Sequence, residues 1–316
     1  MVSKKRRVFD MELKRGYNRR NTKRRTIPVT VCIAALCDND KSLVCVSDRM
    51  ITSGDVLFET PRSKIYEPES RFCIMTAGDI STHRIIYERL FDRLDACANE
   101  NNILNIREIV SIYESLYDEY KNGMAERAVL SPLGLTRREF IDRQDTMDTE
   151  FIDNISDRLS EYKIGDIDTI IAGFDGSKLG GHIYVIRDGV SSCESQVGFG
   201  VIGIGERHAD SQFMMAGHCG YDPFYETLLL SYCAKKRAEV APGVGKETDI
   251  LINRAGMEQA RIPNESEIFS VLEAEYNRMR GAEQKAKKIS ETQAAQRIRQ
   301  SPTGDNEKIR RLLDGL

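Results

Sequence analysis

Between Thr30 and Gly78 the chain carries three short apolar runs, Val31 to Leu36, Leu43 to Val46 and Phe72 to Thr76, separated by polar turns. Their length and period-2 character predict three strands. Polar residues stand at the ends of those strands. Thr30 opens the first, Asp48 closes the second, Lys64 lies in the segment before the third, and Ala77-Gly78 form the turn after it. A hydroxyl nucleophile needs a base, a group that fixes the base, and donors aimed at a developing oxyanion. Residue types for each of those parts are present in this stretch.

At 316 residues and 41% apolar, the chain can bury a large core as one domain or one and a half. A net charge of −3 gives no global case for nucleic acid or membrane binding. No run approaches the roughly 18 apolar residues of a membrane span, and the basic N-terminus is not followed by the apolar h-region of a signal peptide. The expectation is a soluble, cytoplasmic protein. The eight cysteines, at 32, 37, 45, 73, 97, 193, 219 and 233, form no CxxC pair. They read as reduced and mostly buried thiols, with no disulfide framework. His182 and His208 have no ligand-like spacing, so neither a metal nor a cofactor is expected.

Residues 1–29 differ in composition from the rest of the chain. Met1 to Arg25 hold 11 Lys and Arg against two acids, a local charge of +9 that leaves the remainder at −12. This is the pattern of a solvated arm, and only Phe9 and Tyr17 interrupt it with aromatic rings. It bears on chemistry, because a Thr30 nitrogen held in a peptide bond cannot serve as a base. Such a nucleophile requires removal of the arm between Val29 and Thr30, or a translation start at position 29 from a GTG codon.

After Gly78, Ser81 and Thr82 are candidate caps for a helix with Ile85, Ile86, Leu90, Phe91 and Leu94 on one face. A second helix is expected from about Asn105, buried along Ile109, Ile112, Tyr113, Leu116 and Tyr120. A third, with Thr136 as N-cap and Glu139 at the capping-box position, reaches about Tyr162 with interruptions. Strands come next at Thr169 to Phe174, His182 to Arg187 and Phe199 to Ile204, split by the hairpin-type turns DGSKLGG and DGVSS. A Gly-rich turn leads into a helix through Phe213 and Met214. Another helix runs from Phe224 to Glu239, and a last strand from Thr248 to Asn253. From Pro263 the chain turns charged. One amphipathic helix, Glu265 to Arg280, precedes a segment read as solvated helix or disorder.

Asp48 and Lys64 are 16 residues apart and Lys64 and Gly78 are 14 apart, with the Asp directly after an apolar strand. These intervals, the TVC opening and the SDR run resemble the proteasome β-subunit family of N-terminal-nucleophile (Ntn) hydrolases, closest to its bacterial and archaeal proteasome-homologue branch. The resemblance implies an α+β fold, a four-layer αββα sandwich over residues 30–263. A helical insertion at about 122–163 and a charged tail at 264–316 would elaborate it. It implies Thr30 as the nucleophile with its own α-amine as base, Asp48 and Lys64 in support, and the Gly78 amide in the oxyanion hole.

Two positions depart from the family pattern. Ile204 stands where the family has a Ser between two glycines, and Ala241-Pro242-Gly243-Val244 replaces an Asp-x-x-Ser before the last strand. Cys32 competes as nucleophile, since it precedes Asp48 by 16 residues, the gap-free family spacing, whereas Thr30 needs a longer hairpin. The polar turn CDNDKS has room for that extension. The function expected is a threonine-type endopeptidase, made by autocatalytic cleavage, that hydrolyses peptide or protein substrates through an acyl-enzyme. Its alternatives are a non-catalytic proteasome-like subunit and a small-molecule amidase on the same fold. Self-assembly into a homo-oligomer or ring is expected, with no specific nucleic acid and no membrane as partner.

Overall fold

The computed structural model describes residues 30–53, 56–99, 103–175 and 180–300. The basic arm, most of the DGSKLGG turn and the tail beyond 300 lie outside the described residues. The chain divides between Arg261 and Ile262.

In chain order the first strands are β1 (Cys32–Cys37), β2 (Ser42–Asp48), β3 (Met50–Ser53), β4 (Val56–Glu59), β5 (Ile65–Glu69) and β6 (Phe72–Gly78). Next are helices α1 (Ile80–Asn99), α2 (Ile106–Val129), α3 (Arg137–Asp142) and α4 (Thr149–Ser160). A second strand block holds β7 (Ile167–Phe174), β8 (Gly181–Arg187), β9 (Val190–Cys193) and β10 (Phe199–Ile202). Helices α5 (Glu206–Ala216) and α6 (Phe224–Ala238) precede β11 (Thr248–Arg254), β12 (Ala260–Ile262) and a final helix α7 (Glu267–Gln300).

The fold is mixed α+β, with two antiparallel five-stranded sheets ordered β10-β1-β2-β11-β12 and β5-β6-β7-β8-β9, and a separate β3-β4 ribbon. Alternation along each strand decides what packs on what. Cys32, Ala34 and Leu36 of β1 and Leu43 and Cys45 of β2 meet Cys73 and Met75 of β6 and Ile170 and Ala172 of β7. The intervening Phe72, Ile74, Ile167 and Ile171 pack instead with Ile86 and Leu90 of α1 and Ile109 and Tyr113 of α2. Helix α6 covers β1 and β2, and α5 packs on α6 and β10. Every residue of β1, β2 and β7 is therefore buried, which is why these strands read as unbroken apolar runs.

The β1-β2 register pairs Cys32 with Ser47 and Cys37 with Ser42, leaving residues 38–41 as the turn. Asp38, Asn39 and Asp40 all have φ between 55° and 59°, a left-handed conformation that Asp and Asn tolerate better than most residues. Groups near the start of α6 hold the turn: Phe224 donates its amide to Asp38 Oδ1 at 3.0 Å, and the Asp40 amide donates to the Gly220 carbonyl at 2.9 Å. Extending the register sets Val31 opposite Asp48, whose amide donates to the Val31 carbonyl at 3.2 Å. Thr30 is one step beyond.

Several expectations are corrected. The stretch from Thr30 to Gly78 holds six strands, not three; β3, β4 and β5 are only four or five residues long, too short to stand out in sequence. The cap of α1 is Asp79, which accepts from the Ser81 amide at 3.0 Å and from Thr82 Oγ1 at 2.7 Å, while Ser81 and Thr82 lie inside the first turn. The capping boxes of α2 (Asn105 and Glu108) and α3 (Thr136 and Glu139) are both formed. The helical segment after Thr136 is broken into α3 and α4, which close a small cluster of Val129, Leu130, Phe140 and Ile155. The strand expected to be last, β11, is succeeded by another, β12. Helix α7 is continuous past Arg280, and it is mostly exposed. Among the described residues no helix is long and apolar enough to cross a membrane.

Candidate active site

Thr30, Asp48 and Lys64 come together where β1 begins, β2 ends and β5 begins. Thr30 shares the strand face of Cys32 and Ala34, so its hydroxyl points between the two sheets at the open end of their shared core. It donates to Asp48 Oδ1 and accepts from Lys64 Nζ, and Lys64 Nζ also donates to Asp48 Oδ1 at 2.9 Å. The three side chains close a ring of contacts. Thr30 and Asp48 are 0% exposed and Lys64 is 7% exposed, so the ion pair has little water to compete with it.

A buried carboxylate is costly unless its oxygens are satisfied. Asp48 accepts backbone hydrogen bonds from Val31 (3.1 Å, Oδ1), Met50 (3.1 Å, Oδ2) and Gly245 (2.7 Å, Oδ2). The first two result from its position at the end of β2. The third comes from the turn before β11, where no role was expected. That turn is itself anchored. Glu59 of β4 accepts from the Lys246 and Glu247 amides, and the fully buried Lys235 of α6 donates to the Lys246 carbonyl at 2.8 Å and to Glu239 at 2.7 Å. Burial lowers the affinity of Lys235 for its proton, and Glu239 offsets part of that.

Glycines close the backbone around Thr30. Gly203 has φ +95°, and a Cβ there would overlap the Thr30 carbonyl; the next glycine, Gly205, donates its amide to that carbonyl at 3.1 Å. Ile204 lies between them, half-buried. Gly78 has φ +112°, and a Cβ there would overlap the carbonyl oxygen of Asp166 at the start of β7. Only glycine fits both demands without strain.

Thr30, Lys64 and Gly78 line one cavity of about 710 Å³. Met50, Ile51 and Ile80 give it an apolar wall, and Tyr66, His83 and Tyr87 form an aromatic one. Cys32 is not among its lining residues. Its thiol is fully buried, donates to the Thr76 carbonyl at 3.6 Å, and has its pKa pushed up to about 12, chiefly by burial, with Lys64 and Thr30 opposing and Asp48 adding. Thr30, Lys64 and Gly78 thus border one space with Asp48 directly behind them, while the rival thiol is sealed in the core.

Three contributors were missed from sequence: Gly245, Glu59 and His83. The GVGKE run before β11 marks a turn but not its target. Glu59 sits in a ribbon with no readable strand pattern. His83 and Tyr87, four apart on α1, share a helix face, a spacing that by itself reads only as core. No protein-family model matches the chain, and no curated protein is similar to it.

Proposed function

We propose that this protein is a threonine-type Ntn hydrolase, a peptidase that cleaves amide bonds through an acyl-enzyme on Thr30. The observation that carries the reading is the closed contact of Thr30, Asp48 and Lys64 at the mouth of a cavity that Gly78 also borders. Support comes from the layer order, helices on sheet on sheet on helices, which is the αββα arrangement that the family resemblance implies.

The chemistry can be built from the donors and acceptors. Thr30 Oγ1 attacks the substrate carbonyl carbon, and its proton passes to the α-amine of Thr30, directly or through water. The Lys64 ammonium, held by Asp48, stabilises negative charge growing on Oγ1. The Gly78 amide receives the carbonyl oxygen as it becomes an oxyanion, a contact whose loss typically costs about 10² to 10³ in rate. The protonated amine then delivers its proton to the leaving nitrogen, the C–N bond breaks, and water hydrolyses the ester on Thr30 by the reverse proton path. A cytoplasmic location fits eight cysteines, all among the described residues, none of which is in a disulfide.

This mechanism needs a free amine on Thr30, so protein made from its native gene is expected to start there. Intact mass would show loss of everything before Thr30. Incubation with a peptide β-lactone or vinyl sulfone, and then peptide mapping, should place the adduct on Thr30. A stable, active chain that retains residues before Thr30, or an adduct on Cys32, overturns the assignment. Ile204 favours a second reading, a subunit that kept the fold without the relay. A mature Thr30 terminus that neither reacts nor hydrolyses any peptide would select it.

A further inference from the structure

The aromatic wall of the cavity contains a polar group with nothing to bind. His83 is 2% exposed, and neither Nδ1 nor Nε2 has a hydrogen-bond partner. Its ring lies 5.3 Å from Tyr66 and 5.9 Å from Tyr87, centroid to centroid, and the two tyrosines are 5.0 Å apart. Burial pushes the imidazole pKa down to about 4, so near neutral pH it is uncharged, with one donor and one acceptor nitrogen. A desolvated donor or acceptor without a partner is costly to leave that way. His83 borders the cavity while its two nitrogens are covered, so a ligand that displaces their cover gains by satisfying them.

The surroundings narrow what that ligand is. Met50, Ile51 and Ile80 call for an apolar body, and the rings of Tyr66 and Tyr87 for a planar one. A cation is disfavoured, because each carboxylate that lines the cavity is already engaged: Glu88 is paired with Arg84 at 2.8 Å, Asp79 accepts from the Ser81 amide and Thr82 Oγ1, and Asp166 also has a partner. An uncharged imidazole is a weak partner for a carboxylate. A neutral hydroxyl on an aromatic ring meets each condition, since it can donate to one imidazole nitrogen or accept from the other.

We infer that Tyr66, His83 and Tyr87 form a recognition subsite that selects a phenolic side chain, with His83 hydrogen-bonded to the phenol oxygen. This rests on the reading that the cavity holds the substrate of Thr30, and it adds a substrate class to that reading. A site built around a hydrogen-bonding group rejects the analogue lacking that group more strongly than an apolar pocket rejects a missing methylene. Tyrosine is therefore selected over phenylalanine.

Two measurements on the full chain test this separately from the hydrolase reading. In the first, N-acetyl-tyrosinamide and N-acetyl-phenylalaninamide are titrated into the Thr30→Ala protein and into its His83→Phe and His83→Asn derivatives, with thermal melting as a folding control. The tyrosine amide should bind about tenfold or more tighter when His83 is present, equally with the phenylalanine amide in His83→Phe, and with partial preference in His83→Asn, which keeps a donor and an acceptor. Equal binding of the two amides, or no binding of the tyrosine amide, overturns the subsite. In the second, wild-type protein is given peptides differing only in Tyr or Phe before the scissile bond. Cleavage without preference refutes the subsite and leaves the hydrolase standing. Selective binding without cleavage upholds the subsite and refutes the hydrolase.

Discussion

The Gly245 amide donates to Oδ2 of Asp48 at 2.7 Å, although the two residues are 197 positions apart. Where the family resemblance leads one to expect a carboxylate and a hydroxyl before the last strand, this chain brings a bare backbone N–H to the buried carboxylate. Val31 and Met50 add their amides, so Asp48 stays solvated by protein even if a side-chain partner is lost. That separates what the site needs for chemistry from what it needs to fold.

Thr30→Ala should therefore abolish hydrolysis, by about 10³-fold or more, at a stability cost of only about 1 kcal/mol for the lost hydroxyl contacts. The hydroxyl stands at the mouth of the core, and its loss opens little space. Lys64→Ala should be equally inactive but cost about 2 kcal/mol, less than is usual for breaking a buried pair, because three amides still face Asp48. Denaturant unfolding of the two variants measures the difference. A Lys64→Ala protein that remains active removes Lys64 from the mechanism.

Cys32→Ser should retain activity. The thiol lies outside the cavity and its pKa is held up at about 12, so it supplies no thiolate near neutral pH. The serine hydroxyl inherits the Thr76 carbonyl as acceptor, which limits the stability loss to about 1 kcal/mol. Loss of peptide hydrolysis in a Cys32→Ser protein of normal melting temperature would move the nucleophile two residues along β1.

What could be read from the sequence divides by range. Strand positions, the helix start near Asn105, the capping box at Thr136, and the joint spacing of Asp48, Lys64 and Gly78 depend on neighbours along the chain, and the apolar runs and polar turns carry them. The choice between Thr30 and Cys32 does not, because it depends on the β1-β2 register, fixed by a turn over residues 38–41 whose anchors, Gly220 and Phe224, lie far along the chain. The same holds for Gly245, Glu59 and Lys235, where an amide or a salt bridge acts at a distance and leaves no local pattern. His83 was hidden for another reason. A histidine on a helical stripe reads as core, and only its missing partners distinguish it.

Gly78→Ala should lose both stability and activity. The site demands φ +112°, and the added methyl would meet the Asp166 carbonyl, so either β6 or β7 must shift. A cost of about 3 kcal/mol is expected, the range for a substitution incompatible with its backbone conformation. Because the shift moves the amide proposed to hold the oxyanion, the turnover number should fall more than substrate binding weakens. Steady-state kinetics that change only KM would argue against that role for Gly78.

The lowered pKa of His83 gives a pH dependence with a definite sign. In the folded chain the imidazole takes a proton only near pH 4, but in the unfolded chain it does so at its ordinary value of 6.5. Between those values the unfolded state binds the extra proton, so stability falls as pH drops from 6.5 to about 4 and is flat in this respect above 6.5. The loss amounts to about 3 kcal/mol over that window. Stability profiles of wild type and His83→Phe should run parallel above pH 6.5 and diverge in slope below it, with the variant less acid-sensitive. Parallel profiles across the whole window would show that the imidazole is accessible to protons in the folded state.

Assembly is expected from side chains that the fold leaves uncovered. On α1, Ile86 and Leu90 are used by the core, but Ile85 is 38% exposed and Phe91 42%. On the opposite helical layer Leu228 and Tyr232 are buried, whereas Met215, Tyr221 and Tyr225 are between 70% and 83% exposed. Both outer helical faces therefore present apolar groups, and a copy meeting one face with the other makes a heterologous contact, which closes into a ring when the rotation allows. Light scattering should give a mass several times that of the single mature chain, and Tyr225→Glu with Phe91→Glu should reduce it to the single-chain mass without lowering the melting temperature of the monomer. A wild-type mass near that of the single mature chain at all micromolar concentrations would rule the assembly out, and with it a chambered peptidase, leaving a free-standing amidase as the form in which Thr30 could act.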